Sequence, residues 1–321
     1  MKLLCLVNTP TGAGAGNSTV ALLRTALRRR HDVWIAGVAD VGLEVGDRVV
    51  ARAYRAGLDG FRFVLDPPTV QEVDGFDALL LRADAERDRG RRWAHEVANG
   101  LARTARQRGL VVLNDPDGLA VASSTLYMSA FDPALRPETL ISRDPVALRR
   151  FVTEAGRCVL KPLDGTLGRD VFRVDADNLA NFNQIVDVLT RDGFCVAQRF
   201  IDGADQGDTR ILLLDGEPIV VDGHLAAHRR IPSGTDFRSS MEAGGAPAPA
   251  EITPALRELC AVVGAQLKRD GIFLARLEVI GDKLVEIDAA CPGGFSQAAR
   301  QSGVDFTVPV IAAVEQRVAR R

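Results

Sequence analysis

The sequence predicts a mixed α/β (α+β) protein of more than one domain, and three observations predict it. Residues 2–38 alternate strand, glycine-rich loop, helix and strand, the opening of a parallel α/β layer. Further along, short apolar runs meet across turn residues at 163–169, 215–216 and 281–283, which are hairpin signals. The chain also has 321 residues, 46% of them apolar, enough for two or three cores at about 100–200 residues each.

Charge and cysteine usage narrow the class. Lys and Arg number 40 against 42 Asp and Glu, and the arginines are scattered among carboxylates, so no basic field offers itself to nucleic acid. Cys5, Cys158, Cys195, Cys260 and Cys291 form no C-x-x-C pair, and most sit in apolar runs, as thiols in a reducing compartment do. The first apolar run is too short for a secretory signal, and no stretch of about 18 apolar residues would span a bilayer. The expectation is a cytoplasmic protein with neither nucleic acid nor membrane as partner.

Taken in order, Lys2 to Val7 reads as a strand, and Ser18 or Thr19 caps the helix that follows. The intervening loop holds G-A-G-A-G (Gly12 to Gly16), which lacks the G-x-G-x-x-G dinucleotide spacing. A loop at the carboxyl end of a strand is placed to touch a substrate instead, with Asn8 and Ser18 as its candidates. Residues 40–75 read as irregular, with a turn at Asp66-Pro67-Pro68. A strand at 76–81 leads to Arg82 and Asp84, a helix covers 91–108 and a strand covers 110–113. Residues 123–140 hold a short helix and then Pro133 and Pro137, as a crossing between domains would. Two strands, C-V-L-K-P and D-V-F-R-V, flank L-D-G-T-L-G-R. Gly165 and Gly168 can turn backbone N–H groups inward as an anion nest, with Lys161 reaching over it. A helix at 178–191, a strand at 194–201 and a hairpin turning at Asp215-Gly216 follow, with Arg210 just before the hairpin. The aperiodic stretch 228–250 is long enough to be a working loop. Thr253 caps a helix at 254–270, and an amphipathic helix at 303–320 closes the chain.

Between those helices lies L-E-V-I-G-D-K-L-V-E-I-D-A-A-C-P-G-G, residues 277–294. A three-residue loop at 281–283 would set Glu278 opposite Glu286 and Val279 opposite Val285. Leu277, Val279, Val285 and Ile287 would then share one face, and Glu278, Glu286 and Asp288 the other. Three carboxylates on one patch repel unless a cation sits among them, and hard oxygen ligands suit Mg²⁺. Cys291 has no His at useful spacing to activate it and reads as a packing thiol. His224 and His228 lie four apart, but not on one helical face, so they make a poor zinc pair.

Five segments in unbroken order, K-P-L-D-G, A-Q-R-F-I, G-D-T-R-I-L-L-L-D-G-E-P, R-I-P-S-G-T-D-F-R and L-E-V-I-G-D-K-L-V-E-I-D, resemble the ATP-grasp ligases. More narrowly, they are similar to the prokaryotic glutathione synthetases over roughly residues 75–315. The resemblance implies an ATP-grasp architecture: an N-terminal parallel α/β domain (1–122), a central lid domain (123–200) and a C-terminal antiparallel-sheet domain with the metal site (201–321). It implies ATP and Mg²⁺ as cofactors, phosphorylation of a carboxylate to an acyl phosphate, and attack by an amine on small amino-acid-like substrates. Lys161, Gly165 and Gly168 would hold the phosphates. Gln198, Arg199, Phe200 and Ile201 would form the strand against adenine, and Asp208 would approach the ribose. Glu278, Glu286 and Asp288 would hold Mg²⁺, and Arg210 and Arg238 would steady the reacting groups. The 228–245 loop would close over the site and exclude water. A homo-oligomer, dimer or tetramer, is expected.

The departures leave the nucleotide machinery mostly in place and change the substrate machinery. Thr125 stands where the family has a second nucleotide lysine, Leu167 where it has glycine, and Asp288 where it has asparagine. The family's M-R-K-D-P-P becomes L-R-A-D-A-E at 81–86. Its T-S-P-T becomes A-C-P-G-G at 290–294, which puts Arg82, Cys291, Gly293 and Gly294 among the candidate substrate contacts. The expected activity is therefore a carboxylate–amine ligase whose substrates differ from γ-glutamylcysteine and glycine, ring closure within one molecule included. True glutathione synthetase, a phosphotransferase and a nucleotide-binding module without turnover are the alternatives.

Overall fold

A computed structural model describes residues 1–11, 17–165, 168–232 and 244–321. The N-terminal layer contains β1 (Lys2–Val7), α1 (Ser18–Arg28), β2 (Asp32–Gly37), β3 (Val41–Glu44), β4 (Arg48–Asp59), β5 (Arg62–Leu65), β6 (Thr69–Glu72), β7 (Ala78–Leu81), α2 (Arg92–Gln107) and β8 (Val111–Leu113). Its sheet runs β3-β4-β2-β1-β7-β8 and is parallel from β2 to β8. β1 and β7 are covered on both faces, which is why they read as unbroken apolar runs. Asn17, rather than Ser18 or Thr19, caps α1, its side chain accepting from the Thr19 N–H. The stretch 40–75 is regular after all. β3, β5 and β6 are laid antiparallel along the long β4, whose alternate residues Val49, Ala51 and Ala53 are buried.

α3 (Pro116–Ala122) leads to two 3-10 turns, Thr125–Ala130 and Pro133–Leu135, in place of the short helix expected there. The central sheet follows, from β9 (Thr139–Ser142), α4 (Pro145–Ala155), β10 (Arg157–Pro162), β11 (Phe172–Asp175), α5 (Phe182–Thr190) and β12 (Cys195–Arg199). Its antiparallel order is β11-β10-β12-β9, and its core gathers Leu148, Leu160, Phe182 and Cys195. α4 was not expected from the sequence, although Asp144 caps it and Pro145 occupies its first turn.

The C-terminal part holds β13 (Asp208–Leu214), β14 (Glu217–Pro218), β15 (Val220–Val221), β16 (His224–Leu225), β17 (Ala227–Ile231), β18 (Ala246–Ala248), α6 (Pro254–Arg269), β19 (Leu274–Ile280), β20 (Lys283–Asp288), α7 (Phe295–Ser302) and α8 (Thr307–Ala319). The order β18-β17-β13-β19-β20 is antiparallel throughout. Asp215 and Gly216, at φ 53° and 85°, make the tight turn that sets Leu214 opposite Glu217.

The β19–β20 hairpin corrects the expected register in part. Glu278 does face Glu286, but Ile280 pairs with Lys283 and Val279 with Leu284. The loop is thus a two-residue turn at Gly281-Asp282, and one extra residue, Val285, is taken up as a bulge. The bulge exchanges two side chains relative to the expected faces. Leu284 goes fully into the core, while Val285 lines the cleft described below. α7 was also unforeseen, and with α8 it completes the N-terminal core: Phe295, Phe306 and Ile311 pack with Leu3, Cys5 and Leu23. Among the described residues, no helix is long and apolar enough to cross a membrane.

Candidate active site

The central and C-terminal sheets face one another across a cleft of about 620 Å³, and loops of the N-terminal layer form its third wall. On the C-terminal wall, strand pairing sets His228, Arg210, Glu278 and Glu286 abreast on β17, β13, β19 and β20. Arg276 and Asp288 form the next row on the same face, two residues along. Glu278, only 6% exposed, is ringed by cations: Arg210 Nη2 at 2.6 Å, Arg276 Nη2 at 2.8 Å and Arg230 Nη2 at 3.6 Å. Arg210 also donates to buried Asp208 at 2.9 Å, and Arg276 reaches Asp288 at 3.1 Å. Burial opposes the charge of Glu278, but Arg210 and Arg276 outweigh it and hold the carboxyl below its usual range. Burial, then Arg210 and Arg276, push His228 down to about 4, so it is a neutral imidazole at neutral pH.

Glu286 is different. It stands among the cleft walls with its side chain open to solvent. Desolvation by those walls, then the charge of Glu278, raise its carboxyl to about 7, with Lys161, Arg210 and Arg276 working against the shift. Among the described residues no three acidic, His or Cys side chains converge closely enough to hold a metal unaided. That fits Mg²⁺ in one respect, since it commonly takes one or two carboxylates and completes its shell with waters and phosphates. Glu286 and Asp288 fit that need, and the repulsion between Glu286 and Glu278 is what a cation would relieve. Glu278 already has both oxygens on arginines.

The opposite wall presents Lys161 from the end of β10 and Gln198 from β12, with Arg199, Phe200 and Ile201 continuing along the rim. Gly165 folds back so tightly that a Cβ there would come 3.1 Å from Pro162 Cγ, and Gly168 takes φ 71°. Thr125 lines the cleft, and its hydroxyl donates to the Leu163 carbonyl at 3.2 Å.

On the third wall, Asp84 and Glu86 face Asp288 and Glu286. Asn8 does not line the cleft; it clips Asp84 in place, donating to its carbonyl and accepting from its N–H, each at 2.7 Å. Burial, then Asp84 and Glu286, push Glu86 up to about 8. Arg82, expected on a substrate, is buried beneath the wall, where it donates to the Pro292 carbonyl at 2.9 Å and to Thr19 Oγ1 at 3.3 Å. Cys291, Gly293 and Gly294 do line the cleft, beside Ser18, whose hydroxyl accepts from the Gly294 N–H at 3.2 Å. Gly294 precedes α7 at φ 114°, and a Cβ there would lie 2.9 Å from His228 Cε1. Arg238, Leu167, the G-A-G-A-G loop and most of 228–245 lie outside the described residues.

Sequence reasoning missed Arg276, Arg230 and Glu86. Arg276 had a signal: a charge inside an apolar strand run, two residues before Glu278 and therefore on its face. Arg230 and Glu86 lay in segments the resemblance marks, R-I-P-S-G-T-D-F-R and L-R-A-D-A-E, but their roles depend on what distant segments bring opposite.

Comparison with known proteins follows the same lines. The profile for the prokaryotic glutathione synthetase N-terminal domain matches residues 1–120, and that for the prokaryotic glutathione synthetase ATP-grasp domain matches 124–303. The chain is 34% identical to the glutathione synthetase of Brucella melitensis, over 94% of each protein, and 32% identical to that of Synechococcus elongatus, over 99% of each. In fold it is similar to D-cycloserine synthetase DcsG (TM-score 0.67, 16% identity, 98% of this chain and 99% of that one). It is likewise similar to the ATP-grasp ligase PsnB complexed with minimal precursor (TM-score 0.65, 19% identity, 98% of each). The chain belongs to the prokaryotic glutathione synthetase family of ATP-grasp ligases, enzymes that use ATP and Mg²⁺.

Proposed function

We propose that this ligase joins a carboxylate to an amine on amino-acid-like substrates through an acyl phosphate. The observation that carries the reading is one cleft with Lys161 on the first wall, Arg210, Arg230 and Arg276 on the second, and the carboxyls of Asp84 and Glu86 on the third. In this reading Lys161 and the backbone around Gly165 and Gly168 grip the phosphates, Gln198 to Ile201 border adenine, and Asp208 lies toward the ribose. Glu286 and Asp288, with Glu278 behind them, would hold Mg²⁺, which would supply positive charge against the phosphates. A substrate carboxylate oxygen bonds to the γ-phosphorus as the bond to ADP breaks. An amine nitrogen then bonds to the acyl carbon, phosphate departs, and the nitrogen loses a proton. Arg210, held rigidly between Asp208 and Glu278, offers fixed positive charge to the oxyanion of that second step, with Arg238 assigned the same task.

Both ends of an amino acid find a counterpart. Glu86, held up at about 8 by burial and its acidic neighbours, would ionise on meeting an ammonium, with Asp84 beside it. Arg276, whose buried Nε has no hydrogen-bond partner among the described residues, lies beside Gly293 and the start of α7, where a carboxylate would be received. A second reading, glutathione synthesis from γ-glutamylcysteine and glycine, is favoured by full-length similarity to proteins of that name. The carboxylate of Glu86, in a segment where the family has D-P-P, favours other substrates.

The test is ADP release by the purified enzyme with ATP and Mg²⁺ across amino acids, singly and in pairs, γ-glutamylcysteine with glycine among them. Release that requires an acid and an amine together is expected. Release with one bifunctional compound would assign ring closure, and a phosphorylated product that accumulates would replace the ligase reading with phosphotransfer.

A further inference from the structure

We infer that Arg89 and Arg92, at the threshold of α2, are positioning residues for the Asp164–Gly165 peptide and aim its N–H toward nucleotide phosphate. The inference rests on reading the cleft wall of Lys161 and Gly165 as the nucleotide site. Arg92 Nη2 donates to Asp164 Oδ2 at 2.7 Å, and an Arg89 guanidinium N–H donates to the Asp164 carbonyl. Both arginines come from the N-terminal layer, more than 70 residues away from the loop in the chain. Thr125 donates to the preceding carbonyl, that of Leu163, and the Leu163 N–H donates to the Phe194 carbonyl at 2.9 Å. The run from Leu163 to Asp164 is thus gripped at successive backbone groups by residues outside the loop.

The grip matters through peptide geometry. The Asp164 carbonyl and the Gly165 N–H belong to one planar trans unit and point in opposite directions. Fixing the carbonyl toward Arg89 therefore aims the Gly165 N–H the other way, and glycine is the residue whose backbone is otherwise freest to turn. Arg92, Asp164 and Gly165 all border the same cleft. The Arg92–Asp164 pair is solvent-exposed, with side chains 56% and 40% accessible, so it adds little to global stability. Its effect is on where a nucleotide-facing donor points.

ATP affinity in the presence of Mg²⁺, measured by calorimetry on the intact protein, tests this with R89Q, R92Q, R92K, D164N and R92Q/D164N. R89Q, R92Q and D164N are each expected to weaken ATP about three- to tenfold, as loss of one positioning hydrogen bond would. R92K should recover part of the loss. The double variant should be no weaker than the worse single one, because both changes break the same link. The melting temperature without ATP should stay within about 2 °C of wild type in every case. Additive losses in R92Q/D164N would mean that Arg92 touches the nucleotide itself, and they would overturn the positioning role. So would unchanged affinity in R89Q and D164N. A wild-type protein that binds no ATP would overturn the nucleotide-wall reading beneath it.

Discussion

Glu278 and Glu286 face each other across one hairpin, yet their surroundings give them different physics. Glu278 is buried against Arg210, Arg230 and Arg276, so removing its charge leaves three guanidiniums in a dry wall to share Asp208 and Asp288. Glu278→Gln is expected to cost about 3–5 kcal/mol in urea unfolding, the range for a broken buried ion pair. Glu286 is repelled by Glu278 and open to the cleft, so Glu286→Gln should leave the unfolding midpoint unchanged or higher. Its turnover should fall about 100-fold or more if it carries Mg²⁺. Wild-type turnover in that variant would remove it from the metal site. The carboxylates were legible in the sequence because alternation along a hairpin puts them on one side. The arginines that neutralise Glu278 come from three strands, two of them outside that hairpin, and nothing local announces their meeting.

At the scale of elements, turn chemistry read well where it was local and poorly where two demands met. Gly281-Asp282 closes a two-residue turn, and the face carrying the carboxylates survives because Val285 bulges out of register. α6 lies over the β13–β14 turn at a point where two backbones nearly touch. A Cβ on Gly264 would come 1.8 Å from the Gly216 carbonyl oxygen. Alanine is better than glycine in a helix by about 1 kcal/mol, but overpacking two backbones costs about 1–3 kcal/mol and at times more. With backbone on both sides neither can yield cheaply, so the clash wins. Gly264→Ala should lower stability by about 2 kcal/mol or more by urea unfolding, and an unchanged or raised midpoint would show that α6 lifts freely. The signals for α4, Asp144 and Pro145, were in the sequence. α7 offered less, since its N-terminal Gly294 caps nothing with a side chain.

For the whole molecule, the last helices close the first domain. Thr25 and Thr307 share a buried hydrogen bond of 2.6 Å between α1 and α8. At the surface, Glu315 accepts from Arg29 at 2.6 Å and pairs with His31 at 2.6 Å. Arg29 foremost, then His31, outweigh partial burial and hold the Glu315 carboxyl down to about 2. A carboxyl lowered on folding stabilises the protein at pH values above its unfolded range, near 4.3. That contribution is lost as pH falls from there through about 2. Glu315→Gln should therefore be less stable than wild type at pH 7, by under about 1 kcal/mol because the pair is partly solvent-screened. The gap should close between pH 4.5 and 2, roughly. A gap that persists at the acid end of chemical-denaturation curves would assign the effect to packing.

By itself, the sequence determined the succession of strands and hairpins, the loop of Gly165 and Gly168 beside Lys161, and the alternation that puts Glu286 and Asp288 on one face. Those features follow from periodicity, turn residues and spacing, all of which act within a few residues. Only the tertiary structure decided that Arg82 lies under the substrate wall, that Asn8 holds Asp84, and that Glu86 stands opposite Glu286. Each of those outcomes depends on segments more than 70 residues apart meeting at one cleft, where burial and charge are set by the partner rather than by the residue's own neighbours.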